Sequence, residues 1–187
     1  MEPVTLTRLQ KHVLVSNFFE RIVALPGDPL YDQHLAAAKR AAQGGLLYPN
    51  VLHRILMKGV LPSNGRYRRL GVTVAGSVCP DWQRVPELMV RWWNTVCKAI
   101  ARREEFNEKE KIALAFSLHD WLLCIHPYED GNGRTARLML NVIRRELGLS
   151  WHIIHPDRRG EYMARIQIFE EDFFGRLPIC SLPEEDS

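Results

Sequence analysis

His126, Asp130, Arg134 and Arg137 fall within twelve residues, in the run His126-Pro-Tyr-Glu-Asp-Gly-Asn-Gly-Arg-Thr-Ala-Arg137. Their types specify a chemistry. A histidine has a reference pKa near 6.5 and can take a proton at neutral pH. Two glycines, Gly131 and Gly133, let the chain adopt left-handed angles and aim successive N–H groups at one point. Asn132, between them, carries a further amide. Arg134 and Arg137 stand three apart, one turn of helix, and a guanidinium fork matches phosphate oxygens. Asp130 beside such an anion site is repelled unless a cation intervenes, and Mg²⁺ bridging a carboxylate and phosphates is the usual solution. Base, metal carboxylate, anion nest and paired arginines together define a phosphoryl or nucleotidyl transfer site. No G-x-x-x-x-G-K-[ST] run occurs, so this is not a P-loop.

Two buried helices must position these groups. An apolar helix ends near Leu122, and a strongly amphipathic one follows, with Leu138, Val142 and Leu149 near one face and Met139, Ile143 and Glu146 adjacent. The turn between them opens the second helix, whose dipole adds positive potential at the nest. Helical periodicity dominates elsewhere. It predicts helices over Leu6 to Leu25, Pro29 to Ala42, Pro49 to Lys58 and Pro86 to Arg103, each ended or opened by Pro or Gly. A capping box, Asn107-Glu-Lys-Glu110, opens a further helix through Leu122, and Glu161 to Phe174 forms the last. The exception is Arg68 to Cys79, RRLGVTVAGSVC, whose alternation and Ala-Gly-Ser turn predict a short hairpin. One hairpin cannot make a core, so the class is all-α (mostly α). Arg66, Arg68 and Arg69 beside it face either phosphate or a target, or form a solvated, positively charged strand edge.

The 187 residues fit one domain, and the net charge of +3 argues against nucleic acid or a membrane surface as partner. Cys79, Cys97, Cys124 and Cys180 are dispersed, which disfavours a disulfide scaffold or zinc site and fits a reducing compartment. The charged N-terminus has no signal-peptide core, and apolar runs are too short to span a bilayer, so a cytoplasmic location is expected; delivery into another cell stays open. Trp92, Trp93 and His119 read as packing residues. His152 and His155 lack the ligand cluster of a metal site.

The run at 126–137 closely resembles the motif of the Fic family, H-P-F-x-[DE]-G-N-G-R-x-x-R, with Tyr128 in place of Phe. The likeness extends more weakly over the chain: helices, a hairpin, two helices, the motif and a last helix with Tyr162. It implies a Fic-type helical bundle, with N-terminal helices over 1–45, a catalytic core over 46–180 and a flexible tail over 181–187. It implies ATP as co-substrate and Mg²⁺ as cofactor. His126 would deprotonate a Ser, Thr or Tyr hydroxyl of a protein substrate, and Asp130 would hold Mg²⁺. Gly131, Asn132 and Gly133 would cradle the α- and β-phosphates, Arg134 would bind the β-phosphate and Arg137 the γ-phosphate. Gly133 favours AMP transfer, because family members that phosphorylate their target carry Lys there. The hairpin, Val72, Thr73, Val74, Ala75, Gly76, Ser77 and Val78, would be the flap that holds the target segment extended.

Many family members carry an inhibitory helix with [S/T]-x-x-x-E-[G/N], whose Glu pairs with the second motif arginine. Ser16-Asn-Phe-Phe-Glu20-Arg21 supplies Ser16 and Glu20 but places Arg where Gly or Asn is usual. Alternatively, Glu20 and Arg21 are the polar face of a helix whose Phe18, Phe19 and Ile22 pack inward. A similar match over Ser181 to Glu185 contains Pro183 and is disfavoured. An antitoxin-like chain or a homodimer stays open, as do UMP or phosphocholine transfer, AMP removal and a silent regulatory role.

Overall fold

The computed structural model describes residues 6–74 and 76–174, so Ala75 of the expected flap and the expected tail, with Cys180 and Ser181 to Glu185, lie outside the described residues. The element order is α1 (Leu6–Phe19), α2 (Pro29–Ala42), α3 (Pro49–Leu56), β1 (Thr73–Val74), β2 (Ser77–Val78), α4 (Val85–Ala101), α5 (Glu108–Ile125), α6 (Asn132–Glu146) and α7 (Arg159–Phe174). The fold is all-α.

Around α6 the other helices assemble. α1 to α5 all touch it, and from Asn132 to Arg144 every residue but Gly133 is buried. The sequence predicts an amphipathic helix here, and the structure corrects that to a central one. Its polar residues tolerate burial because they are hydrogen-bonded. Asn141 reaches the carbonyls of Arg137 and His152 and accepts from the His152 amide, while Arg144 donates to the Ser150 carbonyl. Leu52, Leu56, Met57, Leu118 and Leu122 close the core on other faces, essentially without exposure. Each such side chain contributes about 1.5–3 kcal/mol relative to exposure. Trp92 packs there with its indole N–H on the Leu118 carbonyl, 2.7 Å away.

Helix ends follow from local chemistry. Asp28 caps α2 by accepting from the Leu30 amide, with Pro29 at the first helical position. Asn107 and Glu110 form the expected capping box of α5, which runs on to Ile125. α1 differs from expectation. It stops at Phe19 rather than Leu25, and Phe18 is 62% exposed rather than packed inward. The buried stripe is Leu9, His12, Val13, Ser16 and Asn17, at the three- and four-residue spacing of one helix face. Phe18 falls off that stripe.

The hairpin pairs Thr73 with Val78 and Val74 with Ser77. A ribbon of this length does not hold itself together, so its anchorage must come from elsewhere. Cys79, Cys97 and Cys124 form no disulfide among the described residues, and no described helix is long and apolar enough to cross a membrane.

Burial of histidines sets an acid limit on this fold. Burial, with Arg137 and His152 close by, holds His12 down to about 3, and burial also brings His53 and His152 to about 4. All three are neutral when folded and titrate near 6.5 when unfolded. Their contribution is therefore complete above about pH 6.5 and is lost as pH falls toward about 4, where only the unfolded chain binds the extra protons. The urea midpoint should be flat above neutrality and fall steadily across that window, and His12→Gln should lessen the fall.

Candidate active site

α5 ends in a left-handed turn that presents a histidine. His126 caps the helix with φ 49° and ψ 62°, a region His enters more readily than most residues. Its Nδ1 is 3.3 Å from the Leu123 carbonyl, which can only accept, so Nδ1 carries the proton and Nε2 the lone pair. Burial lowers the imidazole below its usual pKa, and Arg68 lowers it further. The Leu123 carbonyl, Glu20 and Asp130 pull the other way. The net direction is down, so the ring is neutral at pH 7 and free to take a proton.

The loop that follows is braced from beneath. Tyr128 is fully buried, stacks on His53 at 3.7 Å and donates its hydroxyl to Asn50, 2.8 Å away. The phenol that stands in place of phenylalanine has thus found its partner. Asn132 accepts from the Tyr128 amide and donates to the Tyr128 carbonyl. Its side chain therefore locks the loop, leaving only its main-chain N–H for an anion. His53 accepts from the Gly65 amide at Nδ1, so Nε2 carries a proton that it gives to the Asp130 carbonyl, 2.9 Å away. Gly131 has φ 75°, and a Cβ there would stand 2.8 Å from the Met57 sulfur.

Above this brace lies an anion cradle. The first amides of α6 have no partner within the helix. Arg134 and Arg137 are each 2% exposed, and the Nη1 of each has no hydrogen-bond partner among the described residues. The Asp130 side chain is 68% exposed, 3.7 Å from Arg134. Two buried guanidiniums with unmet nitrogens fit a polyanion, and an exposed carboxylate beside them fits a divalent cation.

Part of Arg137 is already taken. Its Nε donates to the Ser16 hydroxyl (2.8 Å), and its Nη2 to the Ser16 carbonyl (3.0 Å) and Glu20 Oε1 (2.6 Å). The Glu20 carboxylate lies over the first turn of α6, where a Cβ at Gly133 would collide with Oε1. A negative charge is favoured there by the helix dipole. The position of Arg21 is explained by the backbone. Ile22 N bonds the Asn17 carbonyl and Arg21 N the Phe18 carbonyl, the two bonds of a Schellman motif, with Arg21 in its left-handed place at φ 60°. Glycine or asparagine suits that conformation. Arg21 accepts it with an exposed side chain that crowds nothing in the cradle.

Sequence reasoning missed His53, Asn50 and Met57, which support the loop from α3. It also misread Arg68. Of the three basic residues, Arg66 and Arg69 are exposed, but Arg68 is 1% exposed and bonded only to carbonyls among the described residues. It is neither a strand edge nor a phosphate ligand. Val72, Thr73, Val74, Gly76 and Val78 lie on the hairpin beside this residue, mostly exposed, with Ser77 paired in β2.

Fold and site together describe a helical domain with a neutral histidine at the rim of a turn that carries open helix amides and two buried guanidiniums. Residues 50–143 match the Fic/DOC family, and the chain belongs to that family. It is 33% identical over 124 residues to the protein adenylyltransferase Fic of Drosophila grimshawi, covering 64% of this chain and 24% of that protein. A Culex quinquefasciatus protein of the same name is 32% identical, with 64% and 23% covered. The chain thus spans about a quarter of the length of these relatives. In fold it is similar to a Fic domain-containing signaling protein from Bacteroides thetaiotaomicron (TM-score 0.72, 19% identity, 87% and 72% covered). It is also similar to Fic-1 from C. elegans (TM-score 0.66, 22% identity, 86% and 55% covered).

Arg21 offers a local test of the helix end. A side chain in the left-handed region costs about 1–2 kcal/mol, partly offset by the greater entropy glycine loses on folding. Arg21→Gly should therefore raise unfolding stability by about 0.5–1 kcal/mol, measured by urea denaturation at neutral pH.

Proposed function

We propose that this chain transfers AMP from Mg²⁺-ATP to a Ser, Thr or Tyr hydroxyl of a target protein, and that Glu20 holds the site inactive. The observation that carries the reading is the pair of buried guanidiniums with unmet nitrogens, beside a neutral histidine with its Nε2 lone pair free. His126 accepts the proton of the target hydroxyl. The hydroxyl oxygen bonds to the α-phosphorus, the bridging P–O bond to the β-phosphate breaks, and pyrophosphate leaves. The Gly131, Asn132 and Gly133 backbone and Arg134 hold the α- and β-phosphates, and Arg137 orients the γ-phosphate. Asp130 would hold Mg²⁺, which when bound offsets the phosphate charge. Gly133 favours this orientation over phosphoryl transfer. The hairpin that carries Val72, Thr73, Val74, Gly76 and Val78 serves as the flap, its strand edge pairing with an extended target segment.

Inhibition by Glu20 follows from competition for one guanidinium. While Nη2 of Arg137 is paired with the carboxylate at 2.6 Å, it is not available to a γ-phosphate, and the carboxylate repels one. The inhibitory group is supplied within the chain, so no antitoxin-like partner is needed for it.

The test uses wild type and Glu20→Gly with Mg²⁺ and ATP labelled separately at the α- and γ-phosphate, scoring label on the protein itself and on a lysate. Label from the α-phosphate alone should appear, rise by tenfold or more (about 1.4 kcal/mol) in Glu20→Gly, and fall by about 10²–10⁴ in His126→Ala. Label from the γ-phosphate would overturn the proposed chemistry. Transfer that is the same in both proteins would overturn inhibition by Glu20. Because the His126 pKa is lowered, the acid limb of the Glu20→Gly rate should lie below pH 6.5.

A further inference from the structure

Arg68 is a buried cation whose hydrogen bonds, among the described residues, all go to main-chain carbonyls. Its main-chain N–H donates to the Pro127 carbonyl at 2.9 Å. Nε donates to the His126 carbonyl at 2.8 Å, and Nη2 approaches the Ile125 carbonyl at 3.5 Å. Nη1 donates to the Leu70 carbonyl at 2.8 Å and Nη2 to the Pro80 carbonyl at 2.5 Å. Leu70 and Pro80 are the two feet of the hairpin. Ile125, His126 and Pro127 are the end of α5 and the backbone of the base. One planar fork thus bonds both feet of the hairpin and the main chain of His126 at once.

The placement suits a cation. The last carbonyls of a helix lack internal partners and carry the negative end of its dipole. At the end of α5 the Leu122 carbonyl takes the His126 amide, the Leu123 carbonyl takes His126 Nδ1, and the Ile125 carbonyl faces Arg68. Both contacts at His126, the Nδ1 bond and the Arg68 bond to its carbonyl, restrain a residue in a left-handed conformation that few side chains adopt. The hairpin has only two paired residues in each strand, so the same guanidinium supplies anchorage that its own ladder cannot.

We propose that Arg68 is a positioning residue that fixes the hairpin and the His126 backbone as a single unit, so that a target segment laid along the hairpin arrives in register with the base. This rests on the adenylyl-transfer reading and adds the element that joins target docking to proton transfer. Arg68 touches neither nucleotide cradle nor target. Its loss should therefore reduce transfer without reducing affinity for nucleotide.

The experiment is made in the Glu20→Gly protein, with Arg68→Met (uncharged, similar length) and Arg68→Lys (charge kept, fork lost). Arg144→Met, which also removes a buried guanidinium from a carbonyl, is the control for general loosening. Three quantities are read: Mg²⁺-ATP affinity by calorimetry, amide hydrogen exchange, and transfer of α-phosphate label against pH. For Arg68→Met the expected result is parental nucleotide affinity and a fall in transfer of about a hundredfold, the scale of a 1 Å misplacement. Exchange should rise together in residues 69–80 and 126–130. The acid limb should also move up, because the neighbouring cation that depresses the His126 pKa is gone. Arg68→Lys should keep the acid limb of the parent and still show the paired rise in exchange, and it carries the test if Arg68→Met does not fold. Faster exchange in 69–80 alone, with the pH profile unmoved, would overturn the proposal. So would an equal loss of transfer in Arg144→Met, or unchanged transfer in Arg68→Met. Absence of α-phosphate label in the Glu20→Gly parent would instead refute adenylyl transfer, and the exchange data would still decide whether Arg68 couples the two segments.

Discussion

A guanidinium removed from water must have its donors met by oxygen or by an anion, because a buried cation without partners is among the costliest arrangements in a protein. Arg137 imposes that requirement on the centre of this fold. It projects from a helix that is buried all round, and it draws the hydroxyl and carbonyl of Ser16 and the carboxylate of Glu20 to itself. The seating of α1 follows. Ser16 lies on the same stripe as His12, Val13 and Asn17. The Phe19 ring sits 4.8 Å from the guanidinium, with Tyr162 of α7 packed edge-on against it. Tyr162 in turn adjoins His119, which with Asp120 and Arg165 forms the buried polar link between α5 and α7. One side chain thus touches α1 directly, α7 through Phe19, and α5 through Phe19 and Tyr162 in turn.

The same economy governs the loop between α5 and α6. Several residues of the loop are held by more than one contact. Tyr128 is stacked, hydrogen-bonded through its hydroxyl and bonded through its main chain. Asp130 is gripped at its carbonyl by His53 while its carboxylate stays open to solvent. This separation of duties explains how an exposed, charged group can stand in one place. The main chain is fixed by α3, while the carboxylate accepts from the Gly131 amide through Oδ1 and keeps its other oxygen exposed, 3.7 Å from Arg134.

Much of this was readable in the sequence where the determinants are local. The run from His126 to Arg137 is contiguous, so its chemistry could be read from spacing, and the caps at Asp28 and Asn107 sit beside the helices they open. What was not readable depends on distant pairing. α6 looked amphipathic because Asn141 and Arg144 are polar, yet both are satisfied by carbonyls brought in by the 150–152 segment. Hydropathy draws α1 too long and turns Phe18 inward, because the buried stripe includes His12, Ser16 and Asn17, which it does not mark as interior. Arg68 was grouped with Arg66 and Arg69 because nothing in a basic triplet says which member meets carbonyls from a segment 57 and 58 residues away. At Arg21 the motif shows only which residue types are usual, whereas the governing variable is the handedness of the backbone.

The Schellman turn at the end of α1 has a consequence for time as well as for structure. Helix ends open locally at far lower free energy than whole helices undock. Glu20 lies one residue beyond the last helical residue of α1, in the segment closed by just the Asn17 and Phe18 carbonyls. Leu9 and Val13, two to three turns earlier, remain sunk in the core. Opening of the turn that carries the carboxylate is therefore an event of fraying that leaves the rest of the helix in its seat. The turn that carries Glu20 and the stripe that seats α1 are neighbours in the chain, but they differ in how readily they open.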